Sequence, residues 1–347
     1  MTTSPYHELQ VTQIHEETAD ARSLVLAIPA ALEDTFRYRA GQFLTFRLPV
    51  GEERLVRCYS LASSPAVESE HKVTIKRVES GRASNWLNDA VQVGDTLEVM
   101  KPAGRFCLQD RPTPLVLFAG GSGITPVISL VKTALASTQR RVRLVYANRD
   151  AESTIFRAEL AELAHRHADR FRLIERLDSR DGFVDAAAVR GNAGEDLGAD
   201  FYVCGPGPFM AIVEETLLGA GLPSDQFFIE RFEYAAEGSP VDATPAATTP
   251  DASATEGPSF EISLDGETLD VSLRPGETLV EAARRAGMDP PTSCEEGYCA
   301  CCMARLEEGA GTMKANDVLD PSQLEEGWVL TCQFVPASAR GRIRYPD

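Results

Sequence analysis

The chain lacks any apolar run near the roughly 20 residues that a membrane-spanning helix needs, so no helical span and no membrane partner is expected. Its N-terminus, MTTSPYHELQ, has neither a basic n-region nor an apolar h-region. No export signal is read there, and a cytoplasmic location is expected. Positive charge is also scarce: 34 Lys and Arg face 52 Asp and Glu, a formal net charge of −18. That balance argues against nucleic acid or acidic membrane surfaces as partners. It suits docking against a basic patch on another protein, or plain solubility. No segment repeats another. What is present is ordinary for a globular protein, with 43% hydrophobic and 25% charged residues. A length of 347 residues fits two or three domains at roughly 100–200 residues each. Eight cysteines in a reducing compartment point to metal ligands or free thiols rather than disulfides.

Four composition regimes follow one another. Residues 1–110 carry short strand-like runs (Val11–Ile14, Ser23–Ile28, Gln42–Leu48, Arg54–Leu61, Lys72–Val78, Thr96–Lys101) separated by turn residues, the spacing of a small antiparallel barrel. One short helix is expected to begin at Ser84, with that serine as its cap. Residues 111–235 alternate strand-like runs (Leu115–Ala119, Val142–Ala147, Phe171–Arg176, Asp200–Cys204) with helix-like runs, which means an α/β unit with a parallel sheet. Residues 236–258, AEGSPVDATPAATTPDASATEGP, cannot build a core and read as a linker; as a flexible coil it would span roughly 25–30 Å. In 259–347, two strand-like runs straddle Asp265-Gly266 as a hairpin, and a helix is expected over Thr278–Gly287.

The most specific pattern is Cys294, Cys299 and Cys302, spaced C-x4-C-x2-C, with Cys332 after a gap of 29 residues. That is the plant-type ligand spacing of a [2Fe–2S] cluster, whose fourth thiolate comes from elsewhere. Gly297 and Ala300 let the backbone wrap closely and aim amide N–H groups at the sulfurs. A zinc site is the competing reading, although the paired short knuckles of zinc ribbons are missing. Cys301 adjoins Cys302 and is expected to be a non-ligand thiol.

Two further sets concern organic cofactors. Arg57, Tyr59 and Ser60 end a barrel strand, where a guanidinium and hydroxyls can hold a pyrophosphate and line an aromatic ring. Gly81-Arg82-Ala83-Ser84 precedes the short helix, and a helix N-terminus is a natural phosphate seat. Gly120-Gly121-Ser122-Gly123-Ile124-Thr125-Pro126 opens the first helix of the α/β unit, and Cys204-Gly205-Pro206 closes its last predicted strand. Ligands of open α/β sheets bind outside the C-terminal strand ends, so both turns are expected to face one crevice. A glycine-rich turn without a ligand is the competing reading, since the pattern is not GxGxxG. Cys204 is either a packing residue or a contact of the nicotinamide.

Taken in order, RCYSLAS, GRASNWL, GGSGITP, CGPGPFM and CEEGYCACC resemble the ferredoxin–NADP reductase superfamily, in the subgroup with a C-terminal plant-type ferredoxin domain of β-grasp fold. Cys301 departs from that pattern, standing where a small residue is usual. The resemblance implies FAD, with Arg57, Tyr59, Ser60, Lys76, Arg77, Val78, Gly81, Ala83 and Ser84 around it and Glu230 and Phe232 nearby. It implies NADH, with NADPH as the alternative, flanked by Gly121, Gly123, Thr125, Pro126, Cys204, Gly205 and Pro206. Ser60 and Cys204 are the side chains expected beside the reacting rings. The implied activity is electron transfer from NADH through FAD and the [2Fe–2S] cluster to a terminal Rieske-type oxygenase docking on the acidic ferredoxin domain. A di-iron epoxidase, desaturase or hydroxylase is the alternative acceptor. A non-catalytic redox sensor is the distant alternative, against which the flavin and nicotinamide motifs argue. The sequence Asp178-Ser179-Arg180 bears on the nucleotide, because Ser and Arg would suit a 2′-phosphate while Asp178 would suit a ribose hydroxyl.

Overall fold

The structure, a computed structural model, describes residues 6–51, 53–193, 198–232, 257–264, 266–292, 295, 297, 299–316, 318–319 and 321–346. Most of the expected linker and Cys294 lie outside the described residues. The chain divides into two compact units, the first made of Met1–Leu48 with Arg57–Phe232 and the second containing the C-terminal domain.

Six strands open the chain, β1 (Tyr6–Thr18), β2 (Ala21–Ala27), β3 (Phe43–Val50), β4 (Glu53–Ser60), β5 (His71–Lys76) and β6 (Thr96–Met100), in the order β4-β3-β6-β1-β2-β5, with only Pro49–Val56 falling outside the first unit. Along β1 the period of two is visible: Leu9 and Val11 are buried while Glu8 and Gln10 are exposed. An antiparallel bridge between Leu61 and Val73 joins the two ends of that order, so the sheet closes into a barrel. Helix α1 (Arg82–Asp89) follows β5.

The α/β part comprises β7 (Leu115–Gly120), α2 (Ile124–Ser137), β8 (Val142–Asn148), α3 (Arg157–Arg166), β9 (Phe171–Leu177), the single turn α4 (Asp178–Asp181), α5 (Ala186–Ala193), β10 (Asp200–Gly205), α6 (Gly207–Gly219) and β11 (Phe227–Arg231). The strands are all parallel in the order β11-β10-β7-β8-β9. Every residue of β7 and β10 is buried, as a sheet covered on both faces requires. The chain runs outward from β7 to β9 and then returns to the other side of β7 with β10. That reversal places the switch point between β7 and β10, where their following turns diverge. One face of the sheet packs on α2 and α3 in a core that also takes in Ala40, Ala62 and Phe106 of the barrel. The opposite face packs on α5 and α6.

The second unit holds β12 (Ser259–Leu264), β13 (Glu267–Ser272), α7 (Leu279–Arg285), β14 (Met303–Glu308), β15 (Gly311–Met313), α8 (Pro321–Glu325), β16 (Trp328–Leu330), β17 (Phe334–Pro336) and β18 (Arg340–Arg344). A five-stranded sheet runs β13-β12-β18-β14-β16, with β12 and β18 parallel and the other pairs antiparallel. Thr278 caps α7 in a reciprocal capping box with Glu281. Leu279, Ala282 and Ala283 of the helix pack on Phe260, Ile262 and Ile343 of the sheet, the helix-on-mixed-sheet arrangement of a β-grasp.

Candidate functional site

The barrel strand β4 carries Arg57, Tyr59 and Ser60 toward its end. Ser60 is buried, Arg57 and Tyr59 are half-buried, and the Tyr59 ring meets Phe46 edge-on at 5.6 Å. Cys58 faces Thr45 Oγ1 at 3.4 Å. Helix α1 corrects the expectation made for Ser84. It begins at Arg82 with Gly81 as N-cap, and no side chain caps it. Ser84 lies inside the first turn, buried, where its Oγ accepts from the Val78 N–H at 3.1 Å and donates to Gly81 O at 3.4 Å. The hydroxyl closes a local turn. The groups left for a phosphate are the first N–H groups of the helix, which have no intrahelical acceptor. Lys76 and Arg77 are engaged in ion pairs with Asp20 at 3.7 Å and with Asp89 at 2.6 Å.

The two glycine-rich turns of the sheet meet. A Cβ on Gly120 would lie 2.8 Å from Pro206 Cδ, and one on Gly205 would lie 3.0 Å from Gly120 Cα. A Cβ on Gly123 would come within 2.2 Å of Cys204 O. Gly121 is the opposite case: its φ is +51°, and a Cβ there would meet nothing within 4 Å. The result is a backbone cradle, closed underneath by Gly120, Gly123 and Gly205 and open above Gly121. This is the form a pyrophosphate needs at a helix N-terminus. Thr125 is buried and donates to Ser122 O at 3.0 Å, holding the turn, and the following Pro126 is buried.

Cys204 is fully buried at the end of β10, beside Glu230 in register on β11. Burial pushes its thiol well above the ordinary range, and the Glu230 carboxylate adds to the shift. A thiol so held stays protonated and serves as a neutral neighbour, not as a nucleophile. Phe232 packs on the same core as Cys204, and Pro206 is exposed at the N-cap of α6. Strand β11, which carries Glu230, is absent from the sequence-based strands because its run FFIER is short and ends in charges.

In the second unit Cys299, Cys301, Cys302 and Cys332 are all buried. Glu295, Gly297 and Ala300 take positive φ values of 49°, 89° and 59°, the left-handed region in which the backbone turns sharply. A Cβ on Gly297 would sit 2.8 Å from Ala315 O, which leaves room for glycine alone. The Cys302 thiol is hydrogen-bonded to Cys332, and that bond, then burial, then the neighbouring Cys332 and Cys299 charges raise it well above the ordinary range. Donors already point at sulfur: Cys301 N–H to Cys299 Sγ at 3.4 Å, and Gln333 Nε2 to Cys332 Sγ at 3.6 Å. Among the described residues no group of three His, Cys, Asp or Glu stands ready for a metal ion by itself, and the expected ligand set includes Cys294 outside them. Soft buried sulfurs with N–H donors fit an iron–sulfur cluster. Among the described residues no helix is long and apolar enough to cross a membrane.

A closed barrel, a parallel sheet with a glycine cradle at its switch point, and a buried thiol loop on one polypeptide define a class: flavin- and nicotinamide-dependent oxidoreductases with an iron–sulfur domain. The comparisons agree. Residues 8–107 match the oxidoreductase FAD-binding domain, 117–215 the oxidoreductase NAD-binding domain, and 262–337 the 2Fe-2S iron-sulfur cluster binding domain. The ferredoxin reductase component of 3-ketosteroid-9-alpha-monooxygenase from Mycolicibacterium smegmatis is 41% identical over 98% of this chain and 97% of its own. A 1,2-phenylacetyl-CoA epoxidase component from Escherichia coli is 32% identical over 96% of each chain. The solved structure of phthalate dioxygenase reductase covers 99% of this chain and 100% of its own, with a TM-score of 0.62 at 25% identity. The chain belongs to the ferredoxin–NADP reductase superfamily, in the group that joins FAD-binding, NAD-binding and C-terminal 2Fe-2S domains.

Proposed function

We propose that this chain is the reductase component of a two-component oxygenase whose partner holds a 3-ketosteroid. The observation that carries the reading is the 41% identity to a steroid-monooxygenase reductase across all three domains. The stretches YANRD (146–150), CGPGPFM (204–210) and NDVL (316–319) accord with it. The domains are taken as 1–110, 111–235 and 259–347, tethered by 236–258.

When bound, FAD takes an electron pair as hydride from NADH and the [2Fe–2S] cluster passes electrons on singly. The chain's own work is to hold and align. Arg57, Tyr59, Ser60 and the first N–H groups of α1, at Ala83 and Ser84, would hold the flavin ring and its phosphates, with Val78 and Gly81 shaping that turn. Gly121, Gly123 and Thr125 would seat the dinucleotide backbone, and Gly205 and Pro206 would border its nicotinamide end. Cys204 and Glu230 would wall the reacting rings from water. Phe183, 84% exposed beyond Gly182, offers a flat apolar surface to the adenine. NADH is favoured over NADPH because Arg180 is drawn to Asp181 at 2.8 Å, while Asp178 stands at the end of β9. Cys294, Cys299, Cys302 and Cys332 would hold the cluster. The ferredoxin region 259–347 carries 16 Asp and Glu against 8 Lys and Arg, which suits docking to a basic oxygenase surface.

The test is reconstitution. The purified chain, NADH and a Rieske-type 3-ketosteroid oxygenase component should give hydroxylated steroid, with turnover falling as salt rises. The 32% relative supports a second reading, in which the partner is a di-iron epoxidase of the phenylacetyl-CoA type. Product with that partner alone would select it.

A further inference from the structure

Helix α2 begins at the dinucleotide cradle, and one face of it grips the flavin segment further along. Ser129, Lys132 and Thr133 stand at i, i+3 and i+4 and therefore share a side of the helix. All three bond the loop that leaves β4. Ser129 Oγ donates to Ser63 O at 2.5 Å, and the Thr133 and Ser64 hydroxyls pair at 2.6 Å. Lys132 Nζ lies 2.8 Å from Glu68 and 3.1 Å from Glu159 of α3.

The Lys132 side chain is 6% exposed. An ammonium that far from water is stable only with paired, hydrogen-bonded partners, and it has a carboxylate on each side of the junction. Glu68 is fixed in turn, since its Oε2 accepts from the Ser64 N–H at 2.5 Å. Ser63 Oγ accepts from Tyr38 OH at 2.8 Å and from the Lys72 N–H at 3.0 Å, so the loop is pinned from the barrel side too. Lys72 Nζ closes the cluster at 3.8 Å from Glu159. From Thr125 to Lys132 is about 10 Å of straight helix at about 1.5 Å per residue. One rigid element therefore ties the cradle to the loop that follows Arg57–Ser60.

We propose that Lys132 is a positioning residue for hydride transfer: by bridging Glu68 and Glu159 it sets α2 against the flavin segment and so aligns the nicotinamide with the flavin. The inference rests on the assignment of FAD and NADH to those two segments.

The experiment uses the full-length FAD- and cluster-loaded protein and the variants Lys132→Met, Lys132→Arg and Glu68→Gln. Three quantities are measured: anaerobic flavin reduction by NADH in a stopped-flow instrument, the long-wavelength charge-transfer absorbance of the nicotinamide–flavin pair, and amide hydrogen exchange over residues 63–68. Lys132→Met and Glu68→Gln should lower the limiting reduction rate about ten- to hundredfold, the scale expected for about 1 Å of misplacement. They should weaken the charge-transfer band and speed exchange at 63–68, with little change in NADH affinity. Lys132→Arg should restore most of the rate. Glu68→Gln keeps the side-chain volume and carries the test should Lys132→Met fail to fold. A wild-type rate and band in Glu68→Gln would overturn the proposal. Failure of the wild-type chain itself to be reduced by NADH would instead overturn the cofactor assignment beneath it.

Discussion

Gly123→Ala separates the backbone cradle from every side-chain effect. Gly123 has φ −61° and ψ −7°, a conformation alanine adopts without strain. The cost is therefore pure collision. The new methyl would lie 2.2 Å from Cys204 O, 2.4 Å from Cys204 C and 2.6 Å from Gly205 N. A carbon–oxygen contact needs about 3.3 Å, so the two turns must part by about 1 Å. All three atoms are backbone, and no rotamer can relieve them. Overpacking of this kind costs about 1–3 kcal/mol, or about 2–4 °C of Tm for each kcal/mol in a unit of this size. The same ångström, transmitted to the nicotinamide, should slow hydride transfer about a hundredfold. Gly121→Ala is the matched control. It meets no atom but places alanine at φ +51°, at a cost of about 1–2 kcal/mol, and it puts a methyl into the cradle itself. It should weaken NADH binding more than it slows the bound complex. Differential scanning calorimetry and single-turnover reduction by NADH read both effects. A Gly123→Ala protein with unchanged Tm and unchanged reduction rate would refute the reasoning, because the two turns would then be free to separate.

Cys332→Ser should abolish the visible absorbance of the cluster while NADH still reduces the flavin, and equal loss of both would mean that the two functions are not separable by domain. Cys301→Ala should retain the cluster, since alanine keeps the main-chain N–H that Cys301 gives to Cys299 Sγ at 3.4 Å; iron and sulfide analysis decides. Gln333→Leu removes the amide donor to Cys332 Sγ, and one hydrogen bond worth about 1 kcal/mol more in the reduced state corresponds to about 40 mV for one electron, so an EPR-monitored titration should find a potential lower by that amount. Burial pushes the Cys107 thiol from 9.0 up to about 11. A raised pKa favours the protonated form in the folded state, so this contribution is complete below pH 9 and is lost as pH rises through about 11. Urea denaturation should show the stability difference between wild type and Cys107→Ala changing by at most about 2–3 kcal/mol across that window and remaining flat below it.

The parts legible in the sequence were those whose physics is local. The helix expected over Thr278–Gly287 is present as Leu279–Arg285, and the structure closes its start with a capping box between Thr278 and Glu281. The glycines at 120, 121 and 123 mark a turn, and the fold gives reasons for them: a Cβ at 120 or 123 would collide with the neighbouring turn, and φ is positive at 121. Ser84 shows the limit of such reading. A serine before an apolar face looks like a cap, yet three residues upstream Gly81 takes that place, because the serine hydroxyl is better used on the Val78 N–H. Strand β11 was invisible for a similar reason: its pairing with β10, not its own composition, makes it a strand.

The Lys132 cluster was illegible for a stronger reason. Glu68, Lys72, Lys132 and Glu159 stand in separate elements of the chain, and no spacing rule brings them together. In the sequence each looks like a solvated charge. The burial of Lys132 and the half-burial of its neighbours are properties of the junction between barrel and sheet, where the hydroxyls of Ser64, Ser129 and Thr133 are already spent on holding the loop. Motifs can therefore name the cofactors a chain of this kind uses while leaving unread the contacts that set one cofactor against another. Hydride transfer depends on that second quantity. Substitutions that alter its rate without touching a motif residue should concentrate along the face of α2 that carries Ser129, Lys132 and Thr133. Substitutions at equally buried positions on the far face of the sheet, such as Val189 and Val213, should change stability alone. A scan of both faces that finds stability and hydride-transfer rate falling in proportion everywhere would show that α2 has no privileged role in the alignment.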